Sequence, residues 1–354
     1  MLRAAVPVLA FLALAGGAGA KAPALPARTL TFPGAPGRLG GPVGPIALDG
    51  RYAAYAILGN SSKACQFGVH VYSLDLSTGR STAASGHATC SWPQTSTGAG
   101  VFELAAAGKR VTWLANFGGN TESGEILFST TAKTGRDTML ARSDRMGPDL
   151  DTLTGTEIGG LVSDGSRISY STWSLKSGTT VTQGALHRIP MSAPVASDPA
   201  AVVSASADAG RVAVLRGDGS VEVFGIAGQP LETVTPPPAR AIALSGGLLA
   251  VLTKDRTVAV YDRTDGTLLS TWPVAAGGTS IDASHGVAVY VAANHVHLLD
   301  LSTGDDVTVA TPARAQVSGA RIDVAGLLYG YDTRTEGKLA FVPFSSVTKS
   351  LGAP

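Results

Sequence analysis

Two short motifs, Ser280-Ile281-Asp282 and Arg321-Ile322-Asp323, set an aspartate at the same place in successive stretches of a repeating chain. Two carboxylates on one wall can hold a cation or divide the work of general acid and general base. Glu103 is a further acidic candidate on an inner strand earlier in the chain, and Arg321 adds a guanidinium. The structural alternative is that such groups are solvated or paired with a neighbour such as Arg321. Glu103, Asp282, Arg321 and Asp323 are therefore candidate polar groups of a channel wall, with no catalytic role assigned.

His295 and His297 alternate along a strand and so share a face. A metal site needs further ligands in fixed geometry. His70 lies in a distant repeat, and His87, His187 and His285 read as loop or turn residues without partners. No metal and no cofactor is expected. A zinc-protease helix, a nucleophile elbow, a phosphate loop and an EF-hand loop are all missing from the sequence. That argues against enzymes built on a local motif. It says less about sites assembled from scattered strand residues.

The elements that must carry these groups are strands. Of 354 residues, 44% are apolar, 15% charged and 44 are glycine, and the net charge is +1. Disorder needs the opposite balance. No basic excess exists to displace counterions from phosphates, so nucleic acid is not the expected partner. The first twenty residues, with Arg3, an apolar run Ala4–Leu14 and Ala18-Gly19-Ala20, read as a signal peptide. The alternative is an uncleaved anchor. No cysteine follows to accept a lipid, and no second long apolar segment predicts a membrane span. The expectation is a secreted, periplasmic or cell-envelope protein. Residues 21–45 read as a tether containing a short apolar run at 29–32.

From Ile46 onward one pattern recurs: an apolar stretch, a Gly-bearing turn, two alternating strands and a polar turn. The strand after the Gly turn begins near residues 52, 111, 168, 212, 248, 287 and 327. Repeats near forty residues with several short strands point to a β-propeller. The polar turn recurs as Asp75-Leu76-Ser77-Thr78-Gly79, Asp262-Arg263-Thr264-Asp265-Gly266 and Asp300-Leu301-Ser302-Thr303-Gly304. These aspartates suit turn capping.

The units written Y-S-L-D-L-S-T-G (72–79) and Y-D-R-T-D-G-T-L-L-S-T-W (261–272) resemble the repeats of WD-repeat-like, TolB-like and pyrroloquinoline-quinone-like bacterial propellers. The paired Gly-His and Trp-Asp signature of true WD repeats is missing, and Trp272 stands where quinoprotein repeats often end in Trp. The expected fold is all-β, a seven-bladed propeller of four-stranded antiparallel blades over 46–354. Closure by a strand at 29–32 would remove an open sheet edge. The alternative fourth strand is 346–351.

Blade topology sorts the loops. First-to-second and third-to-fourth turns share one face; second-to-third loops and blade connections share the other. Cys65 and Cys90 both fall on the second face beside one blade, so a Cys65–Cys90 disulfide is expected. By chain entropy it would contribute about 3 kcal/mol. Long second-to-third loops are expected at 59–67, 117–124 and 174–183, with a long connection at 142–157. Loops on a rigid scaffold are where binding resides, though drift in tolerant surface loops explains them equally.

The functional expectation is an exported, monomeric, non-catalytic binding or scaffold protein taking a protein or glycan on that face. The rivals are a propeller enzyme (hydrolase, lyase or quinoprotein) at the channel mouth and an envelope-assembly helper of TolB-like type. Quinoprotein chemistry needs a cofactor floor with stacked aromatics, and aromatics are only 6%.

Overall fold

Short Val-, Ala-, Leu- and Tyr-rich runs separated by Gly-bearing turns form hairpin after hairpin. The computed structural model describes residues 28–31, 42–58, 69–86, 88–89, 98–118, 122–130, 136–147, 154–176, 180–189, 196–197, 201–225, 227–333 and 337–352. Strand β1 (Arg28–Thr31) precedes seven successive antiparallel units. Unit one is β2 (Val43–Asp49), β3 (Tyr52–Leu58), β4 (Val69–Asp75) and β5 (Arg80–Ala83). Unit two is β6 (Gly98–Ala107), β7 (Arg110–Gly118), β8 (Glu122–Thr130) and β9 (Asp137–Arg142), followed by the short β10 (Arg145–Met146). Unit three is β11 (Thr154–Ser163), β12 (Ile168–Lys176), β13 (Thr180–Ile189) and β14 (Ala196–Ser197). Unit four comprises β15 (Val202–Asp208), β16 (Arg211–Arg216), β17 (Val221–Phe224) and β18 (Pro230–Val234). Unit five comprises β19 (Ala239–Ser245), β20 (Leu248–Thr253), β21 (Thr257–Asp262) and β22 (Leu268–Pro273). Unit six comprises β23 (Ile281–Ser284), β24 (Val287–Ala292), β25 (His295–Asp300) and β26 (Asp306–Val309). Unit seven has β27 (Gln316–Ile322), β28 (Gly326–Asp332) and β29 (Gly337–Pro343), then helix α1 (Phe344–Ser350).

The sheet count differs from the expected seven. Among the described residues, five sheets have four strands and a sixth has nine. The cause is β10, which pairs with β8 on one side and β11 on the other and so fuses units two and three. Unit seven takes β1 as its outer strand, with Leu30 opposite Leu339. Residues 344–350 form a helix whose Val347 packs into the unit-six/unit-seven core. The first unit begins at Val43 rather than Ile46, because Val43 pairs with Ile57 across a bulge.

The middle strands are buried on both faces, so their alternation is not apolar against polar. In β20, Leu249 and Val251 join a core with Ala213 and Leu215 of unit four. Ala250 and Leu252 join a core with Ala288 and Tyr290 of unit six. Among the described residues seven such cores exist, one for each pair of neighbouring units. The set includes Ile46 and Tyr55 against Leu328 and Leu339, which packs unit one on unit seven. Sheets stacked face to face in this way need large and small residues to interdigitate.

Two of the expected long loops are strands. The β7–β8 and β12–β13 hairpins run nine or ten residues per strand, leaving only 119–121 and 177–179 between them. All of 59–67 lies outside the described residues. So do Cys65 and Cys90, and the disulfide expectation with them.

Candidate functional site

The first strands of all seven units line a central cavity of about 780 Å³. Among the described residues, six carboxylates face it (Asp49, Glu103, Asp164, Asp208, Asp282 and Asp323) against two guanidiniums, Arg240 and Arg321. All four channel residues expected from the sequence therefore lie on this wall.

Their carboxylates are engaged across the unit boundaries. Glu103 accepts from the backbone N–H of Leu161 at 2.5 Å and of Gly160 at 3.2 Å, both in unit three. Asp282 accepts from Ile322 N of unit seven at 3.0 Å and from Ala283 N at 3.0 Å. Asp323 accepts from Gly50 N of unit one at 2.5 Å and from Ala325 N at 2.7 Å. The same bond recurs where no chemistry was suspected. Asp49 accepts from Gly108 N, Asp208 from Gly246 N at 2.6 Å, and Ser245 from Gly286 N at 3.0 Å. Each links a first strand to the next unit. Gly50 and Gly246 sit at φ near +55°, the turn conformation that aims their N–H at the acceptor.

Between units three and four the link is a cation. Buried Arg188 of β13 donates from Nη2 to the carbonyls of Gly210 at 3.1 Å and Gly225 at 2.9 Å.

Burial raises the pKa of Glu103, Asp282, Asp323 and Asp49, and the backbone N–H bonds pull back only in part. Arg321 favours the charged forms of Glu103 and Asp282 but makes no ion pair among the described residues. Its Nη1 donates to the Ala320 carbonyl at 2.9 Å. The pairing of Arg321 with a carboxylate weighed from the sequence is thus a field effect across the cavity.

At the start of the first strands, bulges re-aim side chains. Phe102, Val203 and Arg240 are the extra residues in β6, β15 and β19. Phe102 is 43% exposed and Val203 55%, and both line the cavity with Arg240.

Sequence reasoning missed a second constellation. Arg145 of β10 bonds Glu125 of β8 at 2.9 Å and also Glu157 of β11. Trp173 Nε1 donates to Glu157 at 2.5 Å, and Ser143 Oγ donates to Glu125 at 2.5 Å. Burial raises the Glu125 pKa against the pull of Ser143 and Arg145. The only sequence signal was that residues 142–157 are long and charged for a connection. Asp137 was also missed. It is buried and accepts from the backbone N–H of Gly86, Ala88 and Thr89 and from the Thr89 hydroxyl. These bonds outweigh burial and hold its pKa low.

His295 is exposed and His297 buried. His297 Nδ1 lies 3.1 Å from Asp306, which also accepts from Tyr290, and the His297 ring stacks on Tyr290 at 4.7 Å. No group of three metal-binding side chains occurs among the described residues. His187, expected in a loop, lies in β13, stacked on Tyr170 and bonded to Thr172 Oγ1 at 2.9 Å. The turn aspartates cap their turns: Asp75 accepts from Ser77 N, Asp262 from Thr264 N and Asp300 from Ser302 N.

Fold and site together define an all-β protein of repeated four-stranded antiparallel sheets around a polar cavity. No protein-family model and no curated protein matches the chain. The crystal structure of a computationally designed protein, Ika8, superposes on it with a TM-score of 0.51 at 13% identity, over 89% of this chain and 99% of that one. At that identity the likeness concerns the fold alone. No helix among the described residues is long and apolar enough to cross a membrane.

Proposed function

We propose that the chain is an exported, non-catalytic seven-bladed β-propeller that works as a binding or scaffold protein for a protein or glycan. The blade count rests on the seven inter-unit cores and on β1 pairing with β29. It counts the nine-stranded sheet as two blades joined by β10.

The observation that carries the function is the fused pair of blades two and three. Their long hairpins and β10 raise one face on a hydrogen-bonded, ion-paired frame rather than on free loops. Met146 stands exposed on that frame at 62%. Such a rigid raised surface holds a binding geometry without the entropy cost of ordering loops. The rival, an enzyme at the channel mouth, draws less support, because Glu103, Asp282 and Asp323 already accept backbone N–H bonds.

The test places a photo-reactive residue at Met146 and, separately, at Ser77 on the opposite face, and exposes both proteins to an envelope extract of the source organism. A specific adduct at 146 and none at 77 is expected. The reverse pattern contradicts the reading.

A further inference from the structure

The geometry points to a ligand site at the cavity mouth beside the fused blades, built to take the end of an uncharged oligosaccharide. This deepens the binding reading above and rests on it. The cavity volume of about 780 Å³ lies within the range of small-ligand sites.

Three consequences of the bulged first strands define the mouth. Phe102 and Val203 present exposed apolar surface, and Arg240 presents an exposed guanidinium that makes no ion pair among the described residues. Arg321 lines the same cavity. Nearby, Glu103 and Asp282 already accept two backbone N–H bonds each. The charged donors that face the cavity without an ion pair are therefore the two guanidiniums, Arg240 and Arg321, and Arg240 stands exposed at a mouth that also carries an aromatic face.

Charge decides the class. Two guanidiniums balance Glu103 and Asp282 at this mouth, so a cation gains little there. At the opposite end of the first strands, Asp49, Asp164, Asp208 and Asp323 make the cavity acidic, which repels an anion. A neutral sugar avoids both costs. Its C–H face stacks on Phe102, and its hydroxyl oxygens accept from Arg240 and Arg321.

The test is a glycan array carrying neutral and acidic oligosaccharides, followed by titration calorimetry with the tightest neutral binder. Phe102→Ala and Arg240→Ala alter exposed side chains, and unchanged melting confirms that they fold. Each is expected to weaken binding at least tenfold, while Val324→Ala on the cavity wall near Asp323 leaves it unchanged. No neutral binder on the array, a preference for acidic glycans, or full affinity in both Phe102→Ala and Arg240→Ala overturns the inference. If the array is blank while a protein adduct still forms at residue 146, the sugar site falls and the binding-protein reading stands.

Discussion

Between units five and six, Ala250 and Leu252 interleave with Ala288 and Tyr290, and the turns are tight. Between units two and three a similar apolar core, with Leu114, Leu127, Ile158 and Ile168, is capped by an arginine, two glutamates and a bridging strand. The first seam is held by shape and by neutral hydrogen bonds, from Gly286 N to Ser245 and from Trp272 Nε1 to the Leu301 carbonyl. The second adds buried ion pairs, which stabilise less on average but fail badly when one member is lost. One repeated fold thus supports plain stacking on one side and a raised, cross-braced surface on the other.

The sharpest way to break this contrast is Arg145→Met. It strands Glu125 and Glu157 and should cost about 4 kcal/mol. Adding Glu125→Gln and Glu157→Gln should recover part of the loss, and denaturant unfolding of the single and triple variants measures both. At the apolar seam, Leu252→Ala should cost about 3 kcal/mol in the same assay, and no polar replacement nearby should restore it. Gly304→Ala probes the same seam more gently. Gly304 has φ +81°, and a Cβ there would overlap the Trp272 ring, whose Nε1 donates to the Leu301 carbonyl. A cost of about 2 kcal/mol is expected.

The smallest effect is on pH. Asp49, Glu103, Asp282 and Asp323 have raised pKa values because they are buried, so protonation favours the folded state. Their contribution is full below the ordinary carboxylate range and is lost as pH rises through the raised values. Asp137, Asp262 and Asp300 are lowered and act oppositely, losing stability as pH falls through their folded values. Melting temperature should therefore rise as pH is lowered from neutral toward the ordinary carboxylate range and fall again below that range. A profile that only falls as pH is lowered would contradict the raised values of the cavity carboxylates.

Much of this was legible in the sequence because glycine turns punctuate it. The strands expected to begin at 52, 168, 248 and 287 begin there, and those at 111, 212 and 327 begin one residue earlier. Place within the repeat marked Glu103, Asp282, Arg321 and Asp323 as candidate channel residues, and all four line the cavity. The repeat could not tell which way the carboxylates turn, because their inter-unit partners, Leu161 N, Ile322 N and Gly50 N, lie 40 residues away or more. The runs at 117–124 and 174–183 read as loops because Gly, Ser, Thr and Asn dominate them and no apolar alternation marks a strand. Strand β10 is two residues long and has no periodicity to detect.

A seven-bladed ring requires the chain to close upon itself through β1 and β29. Amide hydrogen exchange tests it directly, in the full chain and in one lacking residues 1–31. The amides of β29 that face β1 should exchange as slowly as those of β28 in the full chain, and the truncation should release them together with Gly50, whose N–H bonds Asp323. Equal protection of β29 and Gly50 in both proteins would contradict closure.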